Sequence, residues 1–198
     1  MKVVALFLKV PVLGEVKTRL AKSLGDEGAL MAYMDLVEHL LKRVAESNIH
    51  IHHTPSNPEP MIKWLGGGYS YSAQEGPGLG ERLTYAMELE FAARAEKLIF
   101  LGGDCPYVNQ RRLDEAFSAL EDHDVVMGPA ADGGYYLIGM NRIMPELFND
   151  VAWGTDSVFQ TSLEICQKFG FNYALLPEES DVDDFKSWKR AKVFMDGE

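Results

Sequence analysis

The sequence predicts an α/β protein built on a doubly wound, mostly parallel sheet that carries an antiparallel strand. In the first half of the chain, short apolar runs typical of fully buried strands alternate with segments of helical period. The second half is richer in strand-like runs, and two of them flank a short turn, which indicates an antiparallel pair. The 198 residues are 46% hydrophobic, enough for one substantial core, so we expect a single domain over residues 1–198.

Five elements are predicted in the first half of the chain. The run that opens it is continuous and apolar, and its shortness favours a buried parallel strand over a helix. The long segment that follows repeats apolar residues at intervals of three and four, as on an amphipathic helix covering a sheet. These residues are Leu30, Met34, Val37, Leu41 and Val44. The predicted strands are residues 3–8, 49–54 and 69–72, and the predicted helices are residues 27–46 and 81–95.

Seven elements are predicted from the centre of the chain onward. A β-branched and aromatic run at residues 99–101 is typical of a strand buried on both faces, and Gly102 and Gly103 end it abruptly. Thr155 or Ser157 is expected to cap a later helix. The remaining predicted strands are residues 125–127, 135–140 and 171–176, and the predicted helices are residues 109–121, 155–169 and 185–194.

The composition excludes several classes of function. Acidic residues outnumber basic ones by 30 to 19, a formal charge of −11, so no basic face suited to nucleic acid is expected. No apolar run approaches the roughly 20 residues that span a bilayer, and no secretory leader pattern opens the sequence. We therefore expect a cytoplasmic protein with no membrane span.

The cysteines and histidines do not form a metal-binding pattern. Cys105 and Cys166 are far apart, with no CxxC motif, so neither a zinc site nor a disulfide framework is indicated. Cys105 is interpreted as a small buried side chain rather than a nucleophile, because no basic residue stands beside it. His50 and His52 share one face of a predicted strand, but no carboxylate accompanies them at ligand spacing.

Asp104 stands at the carboxyl end of the predicted central strand, immediately after two glycines. In open α/β sheets, ligands bind outside the carboxyl ends of the strands, and a glycine lets a ligand approach the backbone. Asp104 is therefore a candidate site residue. The alternative is that its carboxylate forms a turn into Pro106 or caps the following helix.

The loop after the first strand carries three cations and a glycine. It is not a phosphate-binding P-loop, because the GxxxxGK spacing is absent. Lys9, Lys17 and Arg19 nevertheless suit a polyphosphate, with the backbone amide of Gly14 available to an oxyanion. The alternative is a solvated loop leading into a helix with a basic first turn.

Residues 181–184 (DVDD) follow the last predicted strand. One of their carboxylates together with Asp104 would suit Mg²⁺ on a diphosphate, since Mg²⁺ commonly takes one or two protein carboxylates and completes its octahedron with phosphate oxygens and waters. Capping of the helix that follows is the alternative role for this acidic run.

Two glycine-rich loops complete the candidate site. Gln74 and Arg82 flank the first, where an amide could read a base edge, although an ordinary surface loop is equally compatible with the pattern. The second, residues 128–139, contains a strong turn signal and also suits a pocket for a small polar acceptor. Trp153 either closes that pocket or belongs to the core. The candidate acceptor residues are Asp132, Gly133, Gly134, Tyr135 and Trp153.

Five motifs in order give the chain a resemblance to a known family over essentially its whole length. They are KVPVLGEVKTRL, LGERL, GGDCP, GPAADGGYYLIG and DVDDF. The chain resembles the bacterial DUF2064, or selenodomain-associated transferase, group of glycosyltransferase-A-like proteins, within the nucleotide-diphospho-sugar transferase superfamily. The first and fourth motifs are also similar to those of the guanylyltransferase that makes the lactyl precursor of a deazaflavin cofactor.

The resemblance implies a transferase with a nucleotide or nucleotide-sugar donor, a small-molecule acceptor, and Mg²⁺ or Mn²⁺ as cofactor. It implies that Lys17, Arg19 and Asp104 are catalytic. It assigns Asp104 and Asp183 to the metal and residues 132–135 to the acceptor. Nucleotide binding is assigned to Lys9, Gly14, Lys17, Arg19, Gln74, Gly80 and Arg82. Gly103-Asp104-Cys105 departs from the two-aspartate pattern of many glycosyltransferases, and a single aspartate followed by proline is also the nucleotidyltransferase pattern, so nucleotidyl transfer is an alternative. A non-catalytic nucleotide-binding module with the same fold is the other alternative.

Overall fold

The computed structural model describes residues 1–197 of the chain. The helices and strands alternate through the first half, as the sequence predicts. The strands are β1 Lys2–Lys9, β2 Ile49–Thr54, β3 Ser70–Ala73, β4 Lys97–Gly102, β5 Val125–Pro129, β6 Tyr135–Met140 and β7 Tyr173–Leu175. The helices are α1 Thr18–Arg43, α2 Glu59–Leu65, α3 Leu79–Ala92, α4 Gln110–Ala119, α5 Val158–Phe169 and α6 Phe185–Asp196, with a short 3₁₀ turn at Pro145–Leu147.

These strands form one sheet in the order β3-β2-β1-β4-β6-β5-β7. β6 runs antiparallel to both of its neighbours, and the other pairings are parallel. In the centre of the sheet, Leu6 of β1 is in register with Ile51 of β2 and Leu101 of β4. The predicted fold class is therefore confirmed, including the antiparallel strand.

Two layers of helices cover the sheet because successive residues of a strand point to opposite faces. Leu6 and Ile99 pack into one buried cluster with residues of α1 and α4. Ala5 and Phe100 pack into a second cluster on the other face, with residues of α3 and the segment 144–148. The core thus lies on both sides of β1 and β4, which fixes the ends of these two strands.

The strand ends bring the candidate loops together. Because β1, β4, β5 and β7 run in the same direction, the segments that follow them leave the same edge of the sheet. The loop between β5 and β6 lies there as well. A backbone hydrogen bond of 3.0 Å from Val182 N to Asp104 O ties the acidic run after β7 to the loop after β4.

Several predicted boundaries were wrong. Helix α1 begins at Thr18 rather than near residue 27, because Gly25, at φ 72° and ψ 168°, joins two helical segments across a kink. The short helix α2 was not predicted, since Pro60 lies in its first turn and Pro55 and Pro58 precede it. α3 begins at Leu79, which places Gly80 within the helix, and α5 begins only at Val158. Among residues 1–197, no helix has the length and apolar character needed to cross a bilayer.

Candidate functional site

The side chain of Lys17 joins two carboxylates at the centre of the site. Its Nζ donates to Oδ2 of Asp104 at 3.0 Å and lies 3.5 Å from Oδ1 of Asp183. Lys17 is only 9% exposed, whereas Asp104 and Asp183 are partly open to solvent. Lys17 adopts a left-handed backbone conformation, φ 46° and ψ 44°, directly before the first turn of α1. This backbone geometry turns the chain out of the loop and into the helix beside the carboxylates.

Electrostatics keep Lys17 charged despite its burial. Burial alone would lower the pKa of the ammonium, but the negative charges of Asp104 and Asp183 outweigh this and raise its pKa above the usual value. Arg19 adds a second cation, with Nη1 3.5 Å from Oδ2 of Asp183. Its side chain is 75% exposed and is therefore accessible to a ligand.

Asp181 is a further carboxylate that interacts electrostatically with Lys17 and Asp104, and neither the residue pattern nor the family resemblance gives it a role of its own. Its Oδ1 is buried and has no hydrogen-bond partner within residues 1–197. Burial, followed by the charges of Asp104 and Asp132, raises the pKa of this carboxyl to about 8. The DVDD pattern held the necessary signal, because Val182 is fully buried against α1 and α6 and alternates with the two aspartates beside it.

A first cavity of about 510 Å³ opens beside these charges. Most of the residues assigned to the nucleotide and the metal line it. These are Lys9, Lys17, Arg19, Gln74, Arg82, Asp104 and Asp183. The cavity also exposes Gly102 and Gly103 at the end of β4. The strand ends therefore gather the predicted cations and carboxylates around one space.

Hydrogen bonds between side chains and backbone groups position three of these lining residues. The Nε2 group of Gln74 donates to the carbonyls of Leu8 and His52, at 3.2 and 2.8 Å, so this amide is held at the ends of β1 and β2. Arg82 Nε donates to the carbonyl of Gly76 at 2.9 Å. The hydroxyl of Tyr33 donates to the carbonyl of Lys9 and accepts from its amide.

A second cavity, of about 530 Å³, adjoins the first. Of the residues assigned to the acceptor, Asp132, Gly134, Tyr135 and Trp153 line it. The two cavities share a wall formed by Phe7, Arg19, Leu79, Gly102 and Asp183. A ligand in the first cavity can therefore meet a ligand in the second directly at Arg19 and Asp183.

The loop between β5 and β6 is both a structural turn and a cavity wall. Oδ1 of Asp132 accepts a hydrogen bond of 2.9 Å from the amide of Gly134, which forms the turn that the DGG pattern predicts. Tyr135 packs edge-on against Trp153 with ring centroids 6.3 Å apart. The Tyr135 hydroxyl is buried without a hydrogen-bond partner in the described part of the chain, and burial raises its pKa.

Three of the predicted glycines do not line either cavity. Gly14 has φ +79° and packs near Asp26. Gly80 packs against the segment after β6, where an added Cβ would lie 2.5 Å from the carbonyl oxygen of Phe148. Gly133, with φ +90°, touches the backbone of Asp156. Each of these glycines therefore has a conformational or packing role that the sequence pattern alone does not separate from ligand binding.

The residues that meet in the first cavity suit a divalent ion. No group of three or more His, Cys, Asp or Glu side chains is arranged as a metal cage anywhere in residues 1–197. Mg²⁺ on a diphosphate needs only one or two protein carboxylates, which Asp104 and Asp183 can supply, and the unpartnered buried oxygen of Asp181 lies in the same acidic group. The donor set therefore fits a metal that is bound together with phosphate.

The other sequence candidates for metal or thiol chemistry have structural roles. His50 Nδ1 and His52 Nε2 each lie 2.8 Å from a carboxylate oxygen of buried Glu90 on α3. This carboxylate, 40 and 38 residues away in the sequence, could not be found by local spacing. Cys105 is fully buried, and burial raises the pKa of its thiol, so it remains a protonated packing residue.

The fold and the arrangement of loops define an α/β protein of the nucleotide-diphospho-sugar transferase type. A structure from Desulfovibrio desulfuricans G20, provisionally named a nucleotide-diphospho-sugar transferase, superposes with a TM-score of 0.88 at 33% identity over 92% of this chain and 82% of that one. Residues 37–155 match the model of a family described as uncharacterized proteins conserved in bacteria, DUF2064. The chain belongs to this family, as the five motifs indicate.

More distant structures share the fold alone. 4-Diphosphocytidyl-2C-methyl-D-erythritol synthase from Anaerococcus prevotii DSM 20548 gives a TM-score of 0.63 at 9% identity, covering 98% of this chain and 99% of that one. Glucosyl-3-phosphoglycerate synthase from Mycobacterium tuberculosis, solved with Mn²⁺, UDP and glucosyl-3-phosphoglycerate, gives 0.55 at 11% identity, covering 91% and 70%. No curated protein matches the chain in sequence.

Proposed function

We propose that the protein is a metal-dependent transferase that moves a sugar from a nucleotide-activated donor to a small acceptor. The single observation that carries this proposal is the junction of the two cavities. A cavity lined by cations and carboxylates shares Arg19 and Asp183 with a second, more apolar cavity of similar volume. Such a pair of adjoining spaces suits one activated donor and one acceptor.

In the first cavity, Lys17 and Arg19 would bind the donor diphosphate. The cationic Lys17 is held by Asp104 and Asp183, so it is already oriented toward the space where phosphate oxygens would lie. Lys9 and Arg82 supply further positive charge around the same cavity. Asp104 and Asp183 would hold Mg²⁺ or Mn²⁺, which supplies charge neutralisation for the departing nucleoside diphosphate.

The nucleoside would lie along Gln74 and Arg82. Because the Nε2 group of Gln74 is already bonded to two strand-end carbonyls, the amide oxygen is the part of this side chain available for a base edge. Tyr33 fixes the backbone of Lys9 at the opposite side of the cavity. The acceptor would occupy the second cavity between Asp132, Tyr135 and Trp153.

Nucleotidyl transfer is the second candidate, and one observation favours it. The strand-end motif is Gly103-Asp104-Cys105, so it presents one carboxylate rather than the two of a DxD motif. In that reaction an acceptor oxygen attacks the α-phosphate of a nucleoside triphosphate, and pyrophosphate leaves with the electrons of the broken bond. Lys17 and Arg19 would then stabilise charge at the α-phosphate.

Product analysis separates these reactions. The protein is incubated with sugar nucleotides or nucleoside triphosphates, each with Mg²⁺ or Mn²⁺ and a mixture of small acceptors. Release of nucleoside diphosphate from a sugar nucleotide, lost in Asp104→Asn, supports glycosyl transfer. Pyrophosphate from a triphosphate identifies nucleotidyl transfer instead, and metal-dependent nucleotide binding without either product identifies a non-catalytic module.

A further inference from the structure

We propose that the acceptor taken by the second cavity is an uncharged hydroxyl compound with an apolar face, such as a neutral glycoside, and not a phosphate or a carboxylate. The proposal rests on the function proposed above and specifies its acceptor class. It follows from the contrast between the charges of the two cavities and from the aromatic lining of the second.

The two cavities differ in charge. Among the described residues that line the first, four cations face three carboxylates, namely Lys9, Lys17, Arg19 and Arg82 against Glu15, Asp104 and Asp183. In the second, Arg19 alone faces the three carboxylates of Asp132, Asp156 and Asp183. Arg19 is also paired with Asp183 at 3.5 Å. An anionic group entering the second cavity would therefore meet like charge and lose its hydration without a matched cation.

Binding of a metal does not remove this asymmetry. A divalent ion on Asp104 and Asp183 would neutralise charge on the wall that the cavities share, but Asp132 and Asp156 lie in the second cavity alone. Within residues 1–197, neither of these two carboxylates forms an ion pair with a lysine or arginine. The second cavity therefore keeps its excess of negative charge when a metal ion is bound.

The loops that carry these two carboxylates are held together. A Cβ added to Gly133 would lie only 2.2 Å from the carbonyl oxygen of Asp156, so the two backbones are in direct contact. The amide of Phe159 also donates to the carbonyl of Gly133 at 2.9 Å. Asp132 and Asp156 thus belong to one fixed wall. Carboxylates on such a wall that have no cationic partners are suitable hydrogen-bond acceptors for hydroxyl groups.

The remainder of the second cavity is largely apolar. Phe7, Phe100, Tyr135 and Trp153 line it, and their rings form a chain of packed contacts that includes Phe148. Aromatic faces and edges of this kind suit the C–H face of a sugar or another flat apolar surface. A neutral hydroxyl compound can donate hydrogen bonds to the carboxylates and pack its apolar face against the rings.

The test compares phenyl β-D-glucoside with its 6-phosphate, a pair that differs only in the anionic group. Binding of each to the full-length protein is measured by saturation-transfer NMR and by Trp fluorescence, with excess inorganic pyrophosphate present so that the cations of the first cavity do not bind the 6-phosphate. We expect the neutral glucoside to bind at least about tenfold more tightly than the phosphate. The double variant Asp132→Asn/Asp156→Asn is expected to narrow this preference, because it removes two negative charges and keeps the oxygen that accepts from Gly134.

A matched control is Glu46→Gln/Asp122→Asn, two exposed carboxylates at the opposite edge of the sheet, which should leave the preference unchanged. If the double variant in the second cavity does not fold, the single variant Asp156→Asn is used in its place. Equal or tighter binding of the phosphate, or binding of neither probe by folded protein, overturns the proposal. Nucleotide titration of the same sample tests the proposed function separately. If no nucleotide binds, the relative affinities for the neutral glucoside and its phosphate can still be measured.

Discussion

Nζ of Lys17 lies 3.0 Å from Oδ2 of Asp104, although 87 residues separate them in the sequence. The contact joins the loop after β1 to the loop after β4, and Asp183 extends it to the segment after β7. One buried ammonium therefore connects three strand ends. Charge-assisted contacts of this kind fix the geometry of a site before a ligand arrives.

The adjacent residues Asp183 and Asp184 have different roles and provide a matched pair of variants. Asp184 caps α6, accepting from the amide of Ser187 at 2.7 Å, whereas Asp183 faces Lys17 and Arg19. We expect Asp184→Ala to lower Tm by several degrees through loss of the cap and to leave nucleotide binding intact. We expect Asp183→Ala to lose metal-dependent nucleotide binding with little change in Tm. The reverse pattern in calorimetry and thermal unfolding would contradict these roles.

Gly133 is expected to tolerate no side chain. Its φ of +90° disfavours L residues, and an added Cβ would meet the backbone of Asp156. Gly133→Ala should lower the free energy of unfolding by about 3 kcal/mol, since strain and overpacking combine. Gly170→Ala is the control, because Gly170 also has a positive φ, +71°, but open space around it, and it should cost about 1 kcal/mol. Equal losses in urea unfolding would show that the close contact at Gly133 is unimportant.

Glu90 should contribute to stability in a pH-dependent way. Burial raises the pKa of its carboxyl, but hydrogen bonds from His50 and His52 outweigh this and lower the pKa from 4.5 to about 2. Since the folded pKa is below the unfolded one, the contribution is present above about pH 4.5 and is lost as the pH falls toward 2.

We therefore expect Glu90→Gln to reduce the free energy of unfolding by about 1–3 kcal/mol at pH 7, because a buried charged acceptor is lost. The difference from the unmodified protein should shrink as the pH falls below 4.5. The exposed neighbour Glu88→Gln on the same helix is the control. A difference that grows in acid would contradict the assigned sign.

The fold class, including its antiparallel strand, and the grouping of the strand-end loops followed from periodicity, because buried strands and covering helices leave clear sequence patterns. The residues that were missed depend on contacts between distant elements. The alternation of Asp181 with Val182 was a local signal, but the acidic run is equally typical of a helix cap. Glu90 meets His50 and His52 only when α3 packs on the sheet. Gly80 could not be distinguished from a ligand-binding glycine until its contact with Phe148 was seen.

The most direct test of the central claim is isothermal titration calorimetry of nucleoside diphosphates with Mn²⁺, comparing Lys17→Gln with Lys22→Gln. Lys22 is an exposed lysine in α1, the helix that directly follows Lys17, and serves as the matched control. We expect the unmodified protein and Lys22→Gln to bind one nucleotide equally, and Lys17→Gln to bind it about 10- to 100-fold more weakly, as loss of a charged hydrogen bond implies. Unchanged binding in folded Lys17→Gln, or no nucleotide binding by any of the three, would contradict a diphosphate site at Lys17.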